Sequence, residues 1–112
     1  MIFKRISLVL AIAFFTISAF AQKTAILNIP DSTVKINMVE VSCGQCKFKM
    51  EGSGCDLAVR IDGKSYFIDN TTIDQHGDAH AIDGFCESIR KAEIQGKIVD
   101  NRYKVSYFKL LP

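Results

Sequence analysis

Asp62-Gly63 sits between two short, largely apolar segments, Leu57-Ala58-Val59-Arg60-Ile61 and Lys64-Ser65-Tyr66-Phe67-Ile68. No other stretch restricts the fold as much. A two-residue type I′ turn needs positive φ at both positions, and Asp-Gly accommodates that geometry while keeping the flanking strands in step with their twist. The flanks carry β-branched and aromatic residues in partial alternation. Residues 57–68 therefore read as a β-hairpin, and antiparallel pairing dominates the expected fold.

Further strands can be placed around it. Over residues 33–42, Val34, Ile36 and Met38 alternate with Lys35 and Asn37, which predicts a strand. Residues 94–99 and 103–111, joined by a turn at Asp100-Asn101, predict a closing hairpin. Residues 69–78 form a polar loop. Residues 79–92 read as a helix, with Phe85, Ile89 and Ala92 at i, i+4 and i+7 and with Arg90 and Lys91 in its last turn. Gly84 weakens its first half, so Asp83 is a candidate N-cap. A short edge strand is expected over residues 25–29, within a loosely held arm at 22–32. The fold class is mainly β with one helix (α+β): a small five-stranded OB-like barrel with the helix plugging one end, or a curled antiparallel sheet with the helix on one face.

The chain opens with Lys4 and Arg5, continues almost entirely apolar from Ile6 to Phe20, and reaches Ala19-Phe20-Ala21. Charged start, short apolar run and small-x-small site are the three parts of a secretory signal peptide. Residues 1–21 are expected to be cleaved after Ala21, leaving Gln22 first and a single domain over 33–112. The apolar run is shorter than the roughly 20 residues of a spanning helix, so no membrane anchor is expected after cleavage. The first cysteine is Cys43, so no lipid-bearing cysteine follows the cleavage point. A secreted or periplasmic location follows.

Cleavage changes the charge argument. The chain has 14 Lys+Arg and 12 Asp+Glu; Lys4 and Arg5 leave with the signal and no acid does, so 12 of each remain. A basic footprint for nucleic acid is absent. The 91 residues left of 112 form a small domain, whose marginal core profits from a covalent or metal staple.

Four cysteines, Cys43, Cys46, Cys55 and Cys86, could supply that staple. Export favours two disulfides, and four cysteines allow three pairings. A non-enzymatic binding or accessory module stapled in this way is the leading reading. Metal binding is the alternative. Cys43-Gly44-Gln45-Cys46 places two sulfurs within reach of one ion, and Cys86, with His76 and His80 from His76-Gly77-Asp78-Ala79-His80, extends the candidate set; Cys55 is a further donor. Thiolate and imidazole suit zinc or copper rather than calcium or magnesium. The third reading is thiol–disulfide exchange at Cys43 and Cys46. It needs a lowered thiolate pKa, usually supplied by a following helix, but residues 47–54 run into Gly52 and Gly54. The prolines are Pro30 and Pro112, so no proline stands beside the pair.

Asp69, Asp74, Asp78 and Asp83 lack calcium-loop spacing and read as turn and cap residues. Tyr66, Phe67, Phe85, Tyr103, Tyr107 and Phe108 read as core. No Gly-x-Ser-x-Gly elbow, phosphate loop or His-Glu-x-x-His motif is present.

Cys43-Gly44-Gln45-Cys46, Gly54-Cys55-Asp56-Leu57-Ala58-Val59-Arg60-Ile61-Asp62-Gly63-Lys64, His76-Gly77-Asp78-Ala79-His80 and Gly84-Phe85-Cys86 together resemble a family of short secreted bacterial proteins of unknown function. The resemblance spans residues 39–111 and implies a bacterial exported protein. It transfers no activity and no catalytic residue. The element order is also similar to that of small exported OB-like barrels, a likeness of fold that names no ligand.

Overall fold

The computed structural model describes residues 27–112. The expected leader and the first residues of the arm lie outside this range. Five strands form a closed barrel: β1 (Asn37–Cys43), β2 (Leu57–Ile61), β3 (Lys64–Asp69), β4 (Arg90–Val99) and β5 (Arg102–Leu110), in the order β1-β2-β3-β5-β4. All neighbours are antiparallel except β3 and β5, which meet in parallel at Ile68–Tyr103 and Asp69–Lys104. Closure leaves no long unpaired edge among these strands. Of the two expected architectures, the barrel is the one that forms.

Both predicted turns form. Asp62 and Gly63 have φ of 50° and 81°, and Asp100 and Asn101 have 52° and 61°, the doubly positive geometry that two-residue hairpins use. β4 is ten residues long and serves two neighbours. Its first half pairs with β1, and Ala92 to Val99 pair with β5. A bulge between Gln95 and Gly96 bends it, as closure of a small barrel requires. Gly96 sits there because a Cβ would run into the Lys104 carbonyl.

The core is filled by residues from every strand: Val39, Val41, Val59, Tyr66, Ile68, Ile94, Tyr103, Val105 and Phe108. Of the aromatics expected in the core, Tyr66, Phe85, Tyr103, Tyr107 and Phe108 are buried and Phe67 is partly buried.

Three local expectations are corrected. The first strand begins at Asn37 rather than residue 33. The preceding residues are turned by the arm: Val34 N–H donates to the Asp31 carbonyl at 3.2 Å. The buried Gln95 amide donates to the Asp31 and Val34 carbonyls and accepts from Asp31 N–H. In consequence Val34, Ile36 and Met38 are exposed, and the inward face is Val39, Val41 and Cys43. The edge strand expected over 25–29 is absent where it can be seen. Residues 27–29 are turn and bend, tied to β5 by one bond from Phe108 N–H to the Leu27 carbonyl.

The third correction is the helix at 79–92. Residues 78–87 form successive tight turns, with Ala81 N–H bonded to Asp78 O and Gly84 N–H to Ala81 O. The chain curls so closely at Gly84 that a Cβ there would collide with the Asp78 and Ala79 carbonyls. Arg90, Lys91 and Ala92 are taken into β4 by pairing with Val41, Glu40 and Val39. Among the described residues the α-helix lies elsewhere: α1 (Gly44–Lys47), four residues inside the cysteine loop.

Topology decides what gathers at one end of the barrel. β1 ends where its antiparallel neighbours β2 and β4 begin, and β3, antiparallel to β2, ends there too. Residues 43–56, 70–76 and 85–89 therefore share one mouth. Ile73 and Phe85 plug it in place of the expected helix.

Candidate metal centre

Cys43 closes β1 and is wholly buried; Cys46 lies on α1; Cys55 precedes β2; Cys86 lies in the turn that leads to β4. Three chain segments thus deliver four thiols to one point. Cys43 Sγ lies 2.7 Å from Cys46 Sγ and 2.7 Å from Cys55 Sγ. Cys55 Sγ lies 2.7 Å from Cys86 Sγ and 3.6 Å from Cys46 Sγ. All four sulfurs are within 4.8 Å of one another.

Hydrogen bonds outside the sulfurs hold the three segments together. Gly44 N–H donates to the Asp56 carbonyl at 2.8 Å. The Gln45 side chain grips Asp56 twice: its amide donates to the carboxylate at 2.7 Å and its oxygen accepts Asp56 N–H at 2.9 Å. The two residues inside Cys43-Gly44-Gln45-Cys46 therefore fix the position of Cys55. On the other side, Cys43 N–H donates to the Phe85 carbonyl at 3.1 Å. The buried Ser42 hydroxyl lies 2.7 Å from Phe85 O and 2.8 Å from Ser88 O, sharing its proton between two carbonyls and pinning the turn that carries Cys86. Gly44 is required where α1 meets the sheet, since a Cβ there would lie 2.7 Å from Phe67 and 2.8 Å from Met50.

The electrostatics follow from crowding. Burial pushes the Cys43 thiol up, but hydrogen bonds from the Cys46 and Cys55 thiols and from Cys46 N–H outweigh it, and Cys43 titrates below the ordinary thiol range. Donating to Cys43, aided by burial, pushes Cys46 up to about 11. Burial and the same donation to Cys43 push Cys55 well above the usual range. One thiolate is thus stabilised by its protonated neighbours. Further ionisation needs a cation at the centre, which reverses the local logic and strips coordinating thiols of their protons.

The donor set fits a soft ion in kind and number. At a zinc–sulfur distance of about 2.3 Å the edge of a tetrathiolate site is about 3.8 Å. The Cys46–Cys55 separation of 3.6 Å is close to that edge, and the three 2.7 Å contacts would open by roughly 1 Å around an ion.

The candidate ligands separate cleanly by residue type. The four cysteines come together, and among the described residues no imidazole nitrogen belongs to the group. His76 is half-buried, its Nε2 2.8 Å from Thr71 Oγ1 and its ring 4.4 Å from that of Phe108 and edge-on to Phe85. His80 is exposed in a turn where its N–H donates to the Asp78 carboxylate. Asp69 pairs with Arg102, and Asp78 makes that turn bond. Gln45, Ser42 and Asp56 also belong to the site, although no motif marks them. Their only signal is position, Gln45 between two cysteines and Ser42 and Asp56 each beside one.

No curated protein and no solved structure matches the chain. A family model covers residues 37–111, from the start of β1 past the end of β5, with all four cysteines inside, which agrees with the expectation of a family of unknown function. The chain belongs to DUF6370, a family of unknown function.

Proposed function

We propose that the protein is an exported, non-enzymatic metal-binding module whose centre is the tetrathiolate of Cys43, Cys46, Cys55 and Cys86, taking a soft d10 cation, Zn(II) or Cu(I). One observation carries this reading: four sulfurs from three segments lie within 4.8 Å of one another at one barrel mouth. An all-sulfur set of four favours these ions over oxygen-seeking ones. The leader expected at residues 1–21 supports export.

A second reading is a pair of structural disulfides, favoured by an oxidising compartment. Under this reading, two of the sulfur separations support one of the three pairings. Only Cys43–Cys46 with Cys55–Cys86 uses two 2.7 Å separations in disjoint pairs.

Elemental analysis and intact-mass measurement after alkylation, on protein isolated from the exported fraction without reductant, separate the two. One equivalent of zinc or copper and four alkylatable thiols upon metal removal support the metal module. No metal and no free thiols establish the disulfide scaffold instead.

A further inference from the structure

We infer that this centre is an exchange site, at which the ion enters and leaves through Cys46 and Cys55 by ligand substitution with the thiolates of a dithiol-bearing partner, while the barrel keeps its fold throughout. The inference rests on the tetrathiolate reading above and adds to it what the metal is for.

The four ligands are unequal. Cys43 is inaccessible, Cys86 is half-buried, and Cys46 and Cys55 are exposed. An ion held here has two sulfurs against the barrel and two facing solvent. Structural zinc sites are closed and serve to hold small domains together. In this chain the cysteine segments are also held by hydrogen bonds that do not involve sulfur. Among the buried residues that make the core cluster, Cys43 is the one cysteine. The segments bearing the others are positioned by Gly44 to Asp56, Gln45 to Asp56, Cys43 N–H to Phe85 and Ser42 to Phe85 and Ser88. The donors are therefore preorganised before the ion arrives.

Space for an incoming ligand lies on the accessible side. A cavity of about 560 Å³ opens beside Cys55 and Asp56 and runs past Ile68 to the 70–75 turn and Arg102. A partner thiol approaching along it meets Cys55 first. The exchange conserves atoms and charge. A sulfur–metal bond forms to the partner, the Cys55 sulfur–metal bond breaks with its electron pair returning to Cys55, and the proton lost by the partner thiol passes to Cys55. Repetition at Cys46 leaves the ion on the partner's two sulfurs and two of this chain's, and a second dithiol then substitutes at Cys86 and Cys43 in the same way, its two protons passing to those sulfurs as the ion departs. No oxidant or reductant is consumed.

The test uses the full reduced protein loaded with Zn(II) under anaerobic conditions. Loss of zinc to dithiothreitol is followed by stopped flow with a colorimetric zinc indicator, and the far-UV circular dichroism of the metal-free reduced protein is recorded alongside. The expected result is a rate proportional to dithiol concentration, doubling when dithiol doubles, with the strand spectrum retained after zinc has gone. A rate independent of dithiol, or loss of the strand spectrum on zinc removal, overturns the inference and makes the ion a structural staple. Failure to load one zinc per chain overturns instead the tetrathiolate reading on which it rests, so the two failures are distinct.

Discussion

Cys43 caps the helix that carries Cys46: its sulfur accepts the Cys46 backbone N–H at 3.3 Å while touching the Cys46 sulfur at 2.7 Å. One atom thus terminates β1, starts α1 and forms the buried corner of the thiol cluster. The two cysteines of this motif are for that reason not equivalent. Cys43→Ser removes a buried ligand and puts a hydroxyl in its buried place, and is expected to abolish stoichiometric metal and to lower stability by about 1–2 kcal/mol. Cys46→Ser, at an exposed position, is expected to weaken metal binding with little change in stability. Urea midpoints and zinc stoichiometry of the two variants, measured side by side, check this asymmetry.

Gln45 acts on the centre through Asp56. Its amide and carbonyl both engage Asp56, the neighbour of Cys55, and removing a group that orients a ligand typically costs about 10–100-fold in metal affinity. Gln45→Ala is expected to fall in that range, read by chelator competition. Its urea midpoint should stay near that of the parent, because Gln45 lies outside the core. An unchanged affinity would mean that Cys55 is placed by the Gly44–Asp56 backbone bond alone.

Ser42 does the same for Cys86. Ser42→Ala leaves Phe85 O still bonded by Cys43 N–H, but takes the hydroxyl proton from Ser88 O. Loss of a hydrogen bond to this half-buried acceptor costs about 0.5–1.5 kcal/mol. The expected outcome is a destabilisation of that size with faster alkylation of Cys86 than of Cys55 relative to the parent, measured by mass spectrometry of peptides from briefly treated protein.

What the sequence could and could not convey follows from the range of the forces involved. The hairpins at Asp62-Gly63 and Asp100-Asn101 are local: two residues dictate the turn, and the pairing follows. With one strand before them they imply five strands, in a barrel or a curled sheet. The helix expected at 79–92 fails because Phe85, Ile89 and Ala92 satisfy a helical period by coincidence. Phe85 is buried from a turn, Ala92 is buried from a strand, and Ile89 between them is exposed. Long-range pairing of Arg90–Ile94 with β1 decides that segment, and no local pattern records it. The first strand begins four residues later than the alternation predicts, because the alternation of Val34, Ile36 and Met38 continues across a turn clamped by Gln95, a residue more than sixty positions away. The cysteine site was half legible. The residue types were evident from export and count. The union of Cys55 with Cys43 and Cys86 depends on three strands meeting at one mouth, whereas the spacing of His76 and His80 suggested a helical pair where the chain turns instead.

His76 makes stability depend on pH. Burial depresses its pKa below 6.5 in the fold, and Thr71, Phe85 and Phe108, which surround the ring, carry no charge that would offset this. The unfolded chain therefore binds a proton at pH values where the folded ring stays neutral. Stability rises with pH wherever the unfolded state holds more protons. The His76 contribution is accordingly complete above about pH 6.5, declines as pH falls from there through the folded value, and levels off below it. The check is a series of urea midpoints between about pH 7.5 and 5 for the parent and for His76→Gln, which can still reach Thr71 but does not titrate. The parent should lose stability across that window and the variant should lose less. Parallel curves would place the titrating group elsewhere and reduce His76 to a packing residue between two aromatic rings.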